Sequence, residues 1–128
     1  MHKMKKILGL LLLPLLMAGC SSITNLTPTQ YARDPHGYYR VEAEWNSNRK
    51  VIQPDSFQPQ VVLMNAETYP MRPVPLVQDR WEAFIPVPPD KNDILYRYKF
   101  DFMVDAFSKP QPDSLMSAEY ELKIVEPR

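Results

Sequence analysis

From Tyr38 to Val125 apolar residues recur at every second position, and this period of two constrains the fold more than any other feature of the chain. In "ILYRYKFDFMV", residues 94–104, the residues Ile94, Tyr96, Tyr98, Phe100, Phe102 and Val104 share one parity, while Arg97, Lys99 and Asp101 share the other. A pleated strand sends alternate side chains to opposite faces, so the run predicts a central core strand with one aromatic face. "YYRVEAEWN" repeats the scheme, with Tyr39, Val41, Ala43 and Trp45 inward against Arg40, Glu42 and Glu44. "RWEAFIPV" places Trp81, Ala83, Ile85 and Val87 together, opposed by Arg80 and Glu82. "QVVLMN", residues 60–65, is apolar on both faces, and "SAEYELKIVE" closes the chain with Ala118, Tyr120, Leu122 and Ile124 inward.

Turn chemistry supports the same reading. After residue 20 the one glycine is Gly37, whereas thirteen of the fourteen prolines lie in that part of the chain. They fall mainly between the alternating runs or at their ends, where a missing N–H does least harm. No sustained period of 3.6 appears beyond residue 20. Six or seven short strands in about 90 residues predict an all-β fold, an antiparallel immunoglobulin-like β-sandwich over residues 38–128. A small closed barrel satisfies the same pattern.

The scarcity of glycine excludes Gly-rich phosphate cradles of the Walker and dinucleotide types. Charge excludes nucleic acid as a partner: without residues 1–19 the chain has 12 basic and 15 acidic side chains, a net of −3, and no concentrated basic face.

The N-terminal segment has a different composition. "MHKMKK" is positive, and "ILGLLLLPLLM", residues 7–17, is apolar without a charge. Eleven residues rise about 16 Å as a helix, too little for the roughly 30 Å hydrocarbon core of a membrane. The pattern reads as a secretory signal over residues 1–19, with Ala18 and Gly19 ahead of a cleavage site. Cys20 follows, and as the single cysteine it has no partner for an intrachain disulfide.

Leu16-Met17-Ala18-Gly19-Cys20 resembles the lipobox of bacterial lipoproteins. The resemblance implies that the signal is cut before Cys20, that its thiol receives a diacylglyceryl group and that its new amine is acylated. Two or more acyl chains hold a protein stably at a membrane, so the resemblance implies a lipid-anchored envelope protein. Ser21 resembles outer-membrane sorting in enteric bacteria, which implies an outer-membrane location facing the periplasm or the cell surface. Residues 20–37, "CSSITNLTPTQYARDPHG", are polar and read as the lipidated N-terminus and a tether, with a weak strand signal near Thr27 to Tyr31.

Candidates for chemistry are few. Asp34 and His36 in "RDPHGY" could form a loose metal pair, but two ligands on a tether fall short of a metal centre, and solvated loop residues are the better reading. Glu42, Glu44, Glu119 and Glu121 carry the carboxyls that glycoside hydrolysis uses, but on outward strand faces they are expected to be solvated and paired with Arg40, Arg97, Lys99 and Lys123. No catalytic residue, metal or cofactor is expected. Trp45 and Trp81 have inward parity and are expected in the core.

The order "VVLMN…YPM…DRWEAFIPVP…YKFDF…PDS", roughly residues 60–114, resembles immunoglobulin-like modules of the glycogen-binding type. That resemblance implies a glucose contact from Lys99, with Tyr69 and Phe107 near the places of the family's two platform tryptophans. Two functional readings follow: a non-catalytic binding or scaffolding module contacting another envelope protein, and a carbohydrate-binding module for polysaccharide or cell-wall glycan.

Overall fold

A computed structural model describes residues 21–48, 52–106 and 109–127. Ten strands form two sheets packed face to face as an all-β sandwich. The first sheet has the order β1-β3-β7-β6, from β1 (Ser21–Asn25), β3 (Tyr38–Ser47), β7 (Arg80–Pro86) and β6 (Arg72–Pro73). The second has the order β2-β10-β8-β4-β5, from β2 (Gln30–Ala32), β10 (Tyr120–Val125), β8 (Asp93–Ala106), β4 (Gln58–Leu63) and β5 (Thr68–Pro70). Off this path β9 (Lys109–Met116) pairs with the second half of β8.

The inward residues predicted on β3, β7 and β8 meet between the sheets. Val41, Ala43, Ile85, Tyr98 and Phe100 are inaccessible to solvent, and Trp45 is buried beside them. Trp45 lies 4.9 Å from the ring of Phe57, 5.4 Å from Phe100 and 5.6 Å from Phe102, and Phe57 stacks on Trp81 at 5.4 Å. Alternation on a half-buried strand leaves one parity for the core, and aromatic rings fill the gap between sheets more completely than aliphatic ones.

Residues 21–37 are not a free tether. β1 pairs with β3 from Ser21↔Ser47 to Asn25↔Ala43, and β2 pairs in parallel with β10 from Gln30↔Lys123 to Ala32↔Val125. The segment therefore adds an edge strand to each sheet, and the second sheet is mixed where a purely antiparallel arrangement was predicted. Two hydrogen-bonding residues bind it further. Asn25 Nδ2 donates to the Tyr96 hydroxyl at 3.0 Å, and Asn25 Oδ1 accepts from the Tyr98 hydroxyl at 2.7 Å. The Thr27 hydroxyl lies 3.0 Å from the same Tyr98 oxygen and accepts from the Glu42 N–H at 2.9 Å. Burial, the largest influence, pushes the Tyr98 hydroxyl well above its usual range, so it stays a donor.

β9 is also unforeseen, because Pro110 and Pro112 interrupt its run. Both tolerate the ladder because β9 is paired on one side alone, opposite Asp105 and Met103. Ala118, predicted inward, is exposed in the break between β9 and β10.

Candidate functional site

Two features could engage another molecule, and the first is a cleft at the end of the sandwich remote from Ser21. The turn Asp34–Gly37 builds one wall. Asp34 C=O accepts the Gly37 N–H at 3.1 Å, and Asp34 Oδ2 accepts the N–H of His36 at 2.9 Å and of Tyr38 at 3.4 Å. Pro35 supplies the bend and Gly37, at φ 76°, the positive angle. That angle, which side chains with a β-carbon rarely adopt, is what favours glycine at this position. One oxygen of the Asp34 carboxylate thus holds the turn together.

Arg33 anchors the opposite rim by donating to Lys91 C=O at 2.8 Å, Asn92 Oδ1 at 2.7 Å and Glu126 Oε1 at 3.0 Å. Between these walls lies a cleft of about 440 Å³ lined by His36, Tyr38, Leu63, Glu67, Val87 and Ile94, among others. A second hollow of about 410 Å³ shares Leu63, Val87, Pro88 and Ile94 and adds Met64. Tyr38 and Met64 are more than half exposed, so this end presents apolar surface to solvent.

The second feature lies on the outer face of the first sheet. Glu42 and Glu82 stand directly opposite each other across β3 and β7, where two like charges repel. Three arginines compensate. Arg40 pairs with Glu42 and, at 2.9 Å, with Glu82 Oε1; Arg72 Nε holds Glu82 Oε2 at 3.1 Å, and Arg80 reaches Glu42 at 3.7 Å. The Arg72 guanidinium also lies 5.7 Å from the centre of the exposed Phe84 ring.

No protein-family model and no curated protein matches the chain. Among solved structures, a DUF4785 family protein from Legionella pneumophila superposes with a TM-score of 0.45 at 6% identity, covering 80% of this chain. The chain spans 28% of that protein's length.

The Glu42 side chain corrects the expectation of a solvated outward carboxylate. Glu42 and Glu82 are both buried, covered by the guanidiniums that neutralise them. Occlusion, the strongest influence on Glu82, acts to raise its pKa, but hydrogen bonds and attraction from Arg40 and Arg72 together outweigh it and hold the carboxyl below the usual range. A general acid needs the opposite shift, so Glu82 is an ion-pair acceptor. Parity alone could not reveal the cover, because it comes from side chains on three strands. Arg97 on β8 pairs at 2.9 Å with Glu119, which lies in the break between β9 and β10 rather than on a neighbouring strand, while Lys99 and Lys123 pair within their own strands with Asp101 at 3.7 Å and Glu121 at 3.8 Å.

Because the Glu82 pKa is lower folded than unfolded, its stabilisation is present above the ordinary carboxylate value and is lost as pH falls through the folded value. Glu82→Gln is expected to cost about 1–2 kcal/mol at neutral pH, since it weakens two partly solvated arginine contacts. It is also expected to flatten the loss of stability on acidification. Urea midpoints of both chains at pH 7 and at pH 3 check this, and parallel shifts would contradict it.

Of the residues proposed for glucose contact, Tyr69 and Lys99 do not come together. Tyr69 pairs with Val61, which pairs with Tyr98, so Tyr69 packs toward the core, half-buried, with its hydroxyl donating to Glu67. Lys99 pairs with Gln60 and Met116 on the outer face of the same sheet. A stacking platform needs its aromatic and its cation on one side, and these two lie on opposite sides. Phe107, and the lipobox residues Leu16, Met17, Ala18, Gly19 and Cys20, lie outside the described residues. Among the described residues, no three His, Cys, Asp or Glu side chains gather as a metal site, and no helix is long and apolar enough to cross a membrane.

Proposed function

We propose that this chain is a lipid-anchored bacterial envelope protein whose β-sandwich is a non-catalytic binding module for another envelope protein. One observation carries the reading: Leu16-Met17-Ala18-Gly19-Cys20 ends a short positively led apolar segment, directly ahead of the first strand of a folded domain. A signal cut before Cys20 would leave every described strand in the released chain, from Ser21 onward. The location follows from Ser21 and is the outer membrane. The binding role is supported by the remote cleft, whose exposed Tyr38 and Met64 add apolar surface to a polar rim. Confinement to a membrane raises the effective concentration of such a surface toward neighbours, so a modest interface suffices.

Metabolic labelling with an alkyne fatty acid tests the anchor. The parental chain is expected to take up label and to have the mass of a chain beginning at an acylated Cys20. Cys20→Ala is expected to abolish the label entirely and to retain the mass of the uncut precursor. Equal labelling of the two chains would remove the reading. Crosslinking in cells with a photoreactive residue at Met64 then tests the binding role, which predicts one dominant envelope protein adduct.

A further inference from the structure

Cys20 is joined by one peptide bond to the first residue of a paired strand, which leaves about 3.8 Å between its α-carbon and that of Ser21. From this we infer that the sandwich stands on its Ser21 end directly against phospholipid headgroups, with no tether, and holds the remote cleft about 30 Å above them. The inference rests on the lipoprotein reading and adds to it a membrane-facing surface and an orientation.

The height comes from the register. Ser21 is level with Ser47, and Tyr38, at the cleft, lies nine residues back along β3. At about 3.3 Å per residue the separation is about 30 Å. The elements near Ser47 are those that would meet the lipid. Gln53 donates its N–H to Met103 C=O at 2.9 Å, Ile52 bridges Val104, and Met103 donates its N–H to Ser56 Oγ at 2.8 Å. They place the short 3-10 turn Pro54–Ser56 and the tip of β8 at this end. Phe57, next in the chain, packs on Trp45 two residues from Ser47, which fixes both sheets to the same end.

Lying flat is the competing posture, and the faces oppose it. The outer face of the first sheet carries Arg40, Arg72 and Arg80 against Glu42, Glu44 and Glu82, and that of the second carries Arg97 and Lys99 against Asp101 and Glu119. Pressing either against lipid strips water from ions whose pairing leaves no net charge of one sign to attract headgroups. The Ser21 end needs no attraction of its own, because the acyl chains confine it.

The test uses the acylated full chain in liposomes of phosphatidylethanolamine and phosphatidylglycerol containing a headgroup-attached nitroxide quencher. A fluorophore is placed at Asp55→Cys, exposed on the 3-10 turn, or at Asn65→Cys, exposed at the cleft; the Cys20 thiol is blocked by its lipid. Quenching at position 55 is expected to exceed that at position 65 by at least threefold. Twelve Gly/Ser residues inserted between Cys20 and Ser21, with a reach of about 20 Å, are expected to erase most of the difference. Equal or reversed quenching in the parental chain, or a difference the insert leaves unchanged, overturns the inference. Liposome flotation and intact mass are read on the same samples. A chain that carries no lipid and does not float fails the lipoprotein reading instead, whereas a chain that floats with equal quenching fails this inference alone.

Discussion

Phe100→Ala is expected to lower the unfolding free energy by about 3–5 kcal/mol, the range for removing a fully enclosed aromatic ring. Phe100 has no solvent exposure and sits at the centre of the longest strand. Its ring lies 5.4 Å from both Trp45 and Phe57 and 6.4 Å from Tyr98, so one truncation takes edge and face contacts from three other rings. The cavity cannot collapse easily, because its walls belong to opposite sheets that are each held by their own ladders. Against a total stability of about 5–15 kcal/mol for a domain of this size, the loss leaves a marginal protein. Urea unfolding followed by tryptophan emission reads it directly, since Trp45 and Trp81 border the same cluster. A midpoint within error of the parental chain would contradict the packing described.

A soluble chain starting at Thr27 is expected to lose the cooperative thermal transition that a chain starting at Ser21 shows. If residues 21–26 were a tether, their removal would cost nothing. They carry β1, and without it Tyr96 loses the Asn25 amide, Tyr98 loses the Asn25 oxygen, and Trp45 loses Ile23 across the ladder. Tyr98 keeps Thr27 and the Glu42 carbonyl, whereas the Tyr96 hydroxyl without its Asn25 donor costs about 1–3 kcal/mol. β3 would also become an edge with its ladder groups open to solvent. With the lost Ile23 packing and the opened ladder, these losses take a large share of the stability of about 5–15 kcal/mol usual for a domain. Circular dichroism melts of the two chains check it, and superimposable curves would restore the tether.

The strands that were legible in the sequence are those that bury one full face. β3, β7, β8 and β10 alternate strictly because each has one side on the core and the other in water. β1 escaped notice and β2 left only the weak signal near Thr27 to Tyr31, since an edge strand of three to five residues, "SSITN" or "QYA", has a single large apolar side chain, Ile23 or Tyr31, too few to show a period. β9 was hidden by Pro110 and Pro112, which argue against a strand everywhere except at an edge. The Glu42 and Glu82 pair was invisible for another reason. Parity told which face they occupy, but their burial depends on Arg40, Arg72 and Arg80 from strands whose register no local pattern specifies.

The parallel pairing of β2 with β10 joins Gln30–Ala32 to Lys123–Val125, the second strand in the chain to the last. Forming this contact closes a loop of some ninety residues, and its entropic cost is met only after most of the other ladders are in place. Folding of such a topology is slow, because the pairings that matter are distant in sequence. A polypeptide threaded N-terminus first through a narrow pore cannot complete this sandwich while Val125 is still behind the barrier. On the lipoprotein reading proposed above, the strand order would leave the second sheet without its β2 edge until passage is done.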